Sequence, residues 1–72
     1  MKITLENTNH LTSEEATIAR CLASHDKTET ICEFAQFMRV ALGGEWFVHK
    51  GGSHVALHRR KNDWTRILIA TE

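Results

Sequence analysis

The apolar period of this chain switches from helical to alternating at Gly43-Gly44, and that change constrains the fold more than any other feature. Before it, Ile31, Phe34, Ala35, Met38, Ala41 and Leu42 recur at the spacing of a helix buried along one face. After it, apolar and polar residues alternate with period two through residues 45–50 and 53–59, as half-buried strands require. Glycine at the junction suits a helix C-cap, because it enters left-handed conformations without a Cβ penalty. With 72 residues, the chain is expected to form one domain, 1–72.

Upstream, residues 2–6 alternate with Ile3 and Leu5 on one side, which predicts a short strand at a sheet edge, and Asn7 to His10 is turn chemistry. Thr12 and Glu15 form a capping box, Leu11 can staple onto Ala16, and Ile18, Ala19, Leu22 and Ala23 make the stripe of a helix ending near His25. Thr28 or Thr30 caps the second helix, with Glu33 completing a box with Thr30. Gly51-Gly52 predicts a two-residue hairpin corner of the kind that needs positive φ. That corner sets His49 opposite His54, Val48 opposite Val55 and Trp46 opposite Leu57. Trp46, Val48, Val55 and Leu57 then share the face that packs on the second helix, while Glu45, Phe47, His49, His54, Ala56 and His58 share the other. Residues 60–63 read as a second turn and Trp64 to Ala70 as a third strand. Its contiguous Ile67-Leu68-Ile69 is apolar on both faces and so predicts a central or covered position. The expected fold class is α+β: a short N-terminal strand, two helices, then a three-stranded antiparallel β-meander packed on the second helix.

Nine basic and nine acidic residues give zero formal net charge, which argues against a protein held to nucleic acid by bulk positive charge. The charge is uneven, however, with Lys50, Arg59, Arg60, Lys61 and Arg66 all beyond residue 44. The first residues lack the apolar core of a leader, and no apolar run nears the ~20 residues of a membrane span. A cytoplasmic location without membrane contact is expected, with Cys21 and Cys32 as free thiols, buried ones by the commoner pattern. There is no P-loop, dinucleotide fingerprint or nucleophile elbow, and no cofactor is expected.

The hairpin is the stretch richest in chemistry. His49 and His54, placed side by side, would act on one ligand near the basic turn formed by Lys50 and Ser53, because a histidine can serve as acid or base in phosphodiester cleavage. A solvated polar face that happens to contain histidines is the competing reading. His54 and His58 lie about 13 Å apart along a strand, too far to share an ion, and His49 with His54 gives only two ligands, so no metal site is expected. Arg59, Arg60 and Lys61, with Lys50 and Ser53, read as phosphate contacts or equally as a charged rim that blunts a sheet edge. Phe47 is placed to stack a base. Phe37 and Val40 fall off the main stripe of the second helix, and with Phe47 they are candidates for a partner or homodimer surface.

The run from Gly44 to His54, preceded by an amphipathic helix, resembles the small HicA-type toxins over about residues 30–70. The resemblance implies a fold like a double-stranded-RNA-binding domain, action on messenger RNA, and a catalytic histidine in a Gly-Ser-His turn. Gly52, Ser53 and His54 match that motif, so His54 would be the reactive residue. Two functions follow as expectations. The first is an RNA-binding or RNA-cleaving domain using the Gly-Ser-His hairpin. The second is a non-enzymatic inhibitor or adaptor of phage or mobile-element type, acting by protein–protein contact. Whether the chain is an enzyme is left open between them.

Overall fold

A computed structural model describes residues 1–59 and 66–72. The chain runs β1 (Lys2–Leu5), α1 (Ser13–Ala23), α2 (Ile31–Leu42), β2 (Phe47–Lys50), β3 (His54–His58) and β4 (Arg66–Thr71), the α+β order expected. The four strands form one antiparallel sheet in the order β1-β4-β3-β2. β1 lies at an edge and β4 is central, as the apolar pattern of each requires.

Both helices start where their capping boxes dictate. Thr12 accepts from the Glu15 N–H while the Glu15 carboxylate accepts from the Thr12 N–H, and Thr30 and Glu33 repeat the exchange for α2. Each box satisfies two donors that the helix ladder cannot reach. Ala23 ends α1 slightly short of His25. Gly43 closes α2 at φ 64° and ψ −148°, a backbone region open essentially to glycine alone. After it a short 3-10 turn, Gly43–Glu45, shortens β2, which begins at Phe47 where the sequence predicts a strand from Glu45. The third predicted strand is β4, Arg66–Thr71; Trp64 and the predicted turn at residues 60–63 lie outside the described residues.

Both helices cover one face of the sheet, α1 over β1 and β4, α2 over β2 and β3. Ala19 and Leu22 of α1, and Ile31, Phe34, Ala35 and Met38 of α2, meet Trp46, Val55, Leu57, Leu68 and Ala70 in a single core, which Ile3, Leu5 and Val48 extend. Ala41, expected in that stripe, is exposed, because α2 ends over the sheet margin one residue later. In β4, Leu57 pairs with Leu68 but His58 pairs with Arg66, so Ile67 is an extra residue in the ladder. Such a bulge re-aims side chains, and Ile67 and Leu68, though consecutive, both reach the core. Among the described residues, the opposite face of the sheet carries no helix.

Candidate functional site

That uncovered face is where the predicted hairpin chemistry lies, but its register differs from the sequence reading. Phe47 pairs with His58, Val48 with Leu57, His49 with Ala56 and Lys50 with Val55. The Gly51 N–H donates to the His54 carbonyl at 2.8 Å, so Gly52 and Ser53 form the corner in place of Gly51-Gly52. Neither Gly51 nor Gly52 takes a positive φ, which removes the conformational reason for the predicted frame. The shift moves each partner by two residues. Side chains alternate with period two, so every residue keeps its predicted face while its neighbour changes.

His49 therefore lies opposite Ala56, and His54 is not its partner. The His49 ring instead meets His58 on the diagonal, with ring centroids 6.4 Å apart and planes inclined at 67°. His54 turns the other way, onto the turn. A Cβ built on Gly51 would lie 2.7 Å from His54 Nδ1, 2.9 Å from Nε2 and closer still to Cε1. Close approach of an imidazole, then, is what demands glycine at 51. We expect Gly51→Ala to swing the His54 ring off the turn, since the ring is the end free to move, at a stability cost below about 1 kcal/mol. The check is the ring-proton shifts by NMR: His54 signals should move while those of His49 and His58 stay. Unmoved His54 signals would refute the packing.

Along the strands the uncovered face presents Lys2 and Thr4 from β1, Ile69 and Thr71 from β4, His54, Ala56 and His58 from β3, and Phe47 and His49 from β2. Ala56 is only 4% exposed although no helix covers it, because larger side chains surround it. Among the described residues, no carboxylate stands within this array. At its margin Glu6 is held by Arg66 in a bidentate pair, 2.6 Å and 3.0 Å, which leaves little net charge there. Histidines, one lysine and an aromatic ring thus occupy a face stripped of negative charge.

The remaining predicted residues have separate fates. Lys50 is exposed at the end of β2, and its Nζ donates to the Gly51 carbonyl at 3.2 Å. Ser53 is exposed on the corner, and its carbonyl accepts from the Glu72 N–H. Arg59 leaves the basic rim for the fold: its Nε donates to the Glu15 carboxylate, Nη1 donates to the Glu45 carbonyl at 2.7 Å, and the guanidinium lies 5.0 Å over Trp46. Arg60 and Lys61 lie outside the described residues. Phe47 is half-buried on the uncovered face, directly opposite His58.

Phe37 and Val40 are 42% and 74% exposed, one turn apart on the outer side of α2. Phe37 stacks on His25, in the segment joining the helices, at 4.4 Å between ring centroids, and His25 in turn contacts Phe34 and hydrogen-bonds Glu29 at 2.7 Å. Cys21 and Cys32 are exposed thiols, which corrects the expectation of buried ones; each falls on the solvent side of its helix. No group of three or more histidine, cysteine, aspartate or glutamate side chains able to hold a metal ion is found among the described residues. Nor is any helix among them long and apolar enough to cross a membrane.

Sequence reasoning missed the His49–His58 pair and the Arg59 clasp. Gly51-Gly52-Ser53 admits two corner frames, and only the choice of frame tells which histidines meet. The clasp joins residues 44 apart in sequence and carries no local signal. Comparison with family models, with curated proteins and with solved structures finds no match to this chain.

Proposed function

We propose that the uncovered sheet face binds single-stranded RNA and that a histidine of this face promotes its cleavage. The observation that carries the reading is the composition of that face: three histidines, Lys2 and Phe47, with no carboxylate among the described residues between the strand ends. Polyanion binding is favoured by cationic groups and penalised by fixed negative charge, and an aromatic side chain on a sheet offers a platform for a base. The Gly52-Ser53-His54 resemblance to HicA-type toxins points the same way and names His54 as the residue to test. Zero net charge on the whole chain is compatible with this, because the acidic residues Glu14, Glu15, Glu29 and Glu33 lie on or beside the helices, on the opposite layer.

A second reading rests on Phe37 and Val40, an apolar pair left open on α2. It makes the chain an inhibitor or adaptor that binds a protein, or a homodimer.

One experiment separates the two. The purified chain is titrated with a fluorescent single-stranded RNA at several salt concentrations, and cellular RNA is followed after brief induction of the wild type or His54→Ala. On the RNA reading, affinity falls steeply with salt, transcripts are lost with the wild type, and His54→Ala reduces that loss. Intact RNA with both proteins and no RNA affinity would remove the RNA reading. A sedimenting dimer abolished by Phe37→Ser and Val40→Ser would then establish the second.

A further inference from the structure

We propose that His49 and His58 form the acid–base pair that cleaves RNA on this face, and that His54 takes no part in proton transfer. The inference rests on the RNA reading above and departs from its assignment of the chemistry to His54. Three observations support it. His49 and His58 are the histidines whose rings meet, 6.4 Å between centroids. Ala56 is directly opposite His49 and neighbours His58 on the same face of β3, so the β3 side chain beside both rings is only a methyl group. Phe47 is directly opposite His58 and two residues from His49, so a base stacked on its ring would bring the adjoining phosphate over the pair.

Cleavage of an RNA phosphodiester needs a proton removed at one oxygen and supplied at another. Imidazole is the side chain suited to both near neutral pH. At this spacing, two hydrogen bonds of about 2.8 Å can converge on one phosphate from the two rings. In the step proposed, one neutral imidazole takes the 2′-hydroxyl proton as that oxygen attacks phosphorus. The P–O5′ bond breaks, and the other ring, as imidazolium, gives its proton to the departing 5′-oxygen. The products are a 2′,3′-cyclic phosphate and a 5′-hydroxyl. The two rings exchange protonation states, no electrons change hands, and no co-reactant is consumed. His54 lies against Gly51 at the turn, whereas the ring that meets His49 is that of His58. The other charged groups on or beside this face among the described residues are Lys2 and the Glu6–Arg66 pair.

The test uses the full chain and a DNA oligonucleotide containing one ribonucleotide, with the all-deoxy oligonucleotide as an uncleavable measure of binding. His49→Ala and His58→Ala should each slow saturated turnover about 100-fold or more while still binding the all-deoxy strand. The double variant should be no slower than the slower single one, because residues acting as a unit are not additive. The wild-type pH–rate profile should be bell-shaped and each single variant should lose one limb. His54→Ala should instead keep both limbs of the pH–rate profile. Mass spectrometry of the product should find the cyclic phosphate. His49→Gln and His58→Gln, with circular dichroism of every variant, guard against misfolding. Full turnover in the His49 and His58 variants, or its loss in His54→Ala alone, would overturn the pair. Binding without cleavage by the wild type would overturn it too, while leaving RNA binding intact. Absence of any RNA binding would overturn both.

Discussion

Phe34→Ala is expected to leave this chain unfolded at 25 °C. Phe34 is fully buried at the centre of the face where α2 meets β2 and β3, and it is the largest of the side chains with no exposure. Truncating a buried phenylalanine costs about 3–5 kcal/mol, from lost transfer energy and from the cavity left behind. A domain of this size has about 3–5 kcal/mol to lose. The ring also contacts His25 at 5.1 Å, so its removal loosens the joint between the helices as well as the helix–sheet contact. Phe34→Leu keeps most of the volume and is expected to stay folded with a lowered urea midpoint. Circular dichroism with urea titration gives the answer. A cooperative transition in Phe34→Ala within about 1 kcal/mol of the wild type would mean the core can collapse around the gap, and that Phe34 is not its centre.

The second large effect is expected at Glu15, and it depends on pH. One carboxylate oxygen closes the α1 capping box on the Thr12 N–H, and the other takes the Arg59 side chain, so a single residue ties the start of α1 to the end of β3. The Thr12 N–H first, and the Arg59 side chain second, hold the Glu15 carboxyl below its ordinary 4.5. The unfolded chain therefore binds this proton more tightly than the folded chain. The stabilisation is complete above 4.5 and drains away as pH falls through the lower folded value. Asp26, through Thr28, and Glu33, through Thr30, are lowered in the same direction, so acid weakens both loop and cap together. At neutral pH, Glu15→Ala should cost about 2 kcal/mol, a figure reduced for the solvent that reaches Arg59. Glu15→Gln retains a capping acceptor and should cost about half as much. Urea midpoints measured from neutral pH to about pH 3 should fall below 4.5 in the wild type and fall less steeply in Glu15→Gln. Identical slopes in the two proteins would show that Glu15 does not carry the linkage.

These expectations bear on function because the clasp and the candidate site share a strand. Arg59 follows His58 directly, and its contacts with Glu15, the Glu45 carbonyl and Trp46 anchor the end of β3 that carries the His49–His58 pair. An arginine that reads in sequence as a phosphate contact thus also anchors the strand end next to a histidine. On the RNA reading proposed above, substituting it disturbs cleavage through position as well as charge.

By itself, the sequence determined the elements and their faces. Capping boxes at Thr12 and Thr30, the stripe of α2, glycine at 43 and alternation after residue 46 are local patterns, and local sterics and hydrogen bonding decide them wherever the chain goes. The tertiary structure decided who meets whom. It joined β1 to β4 across the whole chain length, gave Ile67 and Leu68 to the same core through a bulge, and drew Arg59 to Glu15. It also set the corner at Gly52-Ser53, which pairs His49 with His58 and sends His54 onto Gly51. The physical reason is that a shift of two in strand pairing preserves every residue's face, so hydrophobic burial scarcely distinguishes the frames. Only the packing of the finished sheet selects one, and that selection decides which imidazoles can share a substrate.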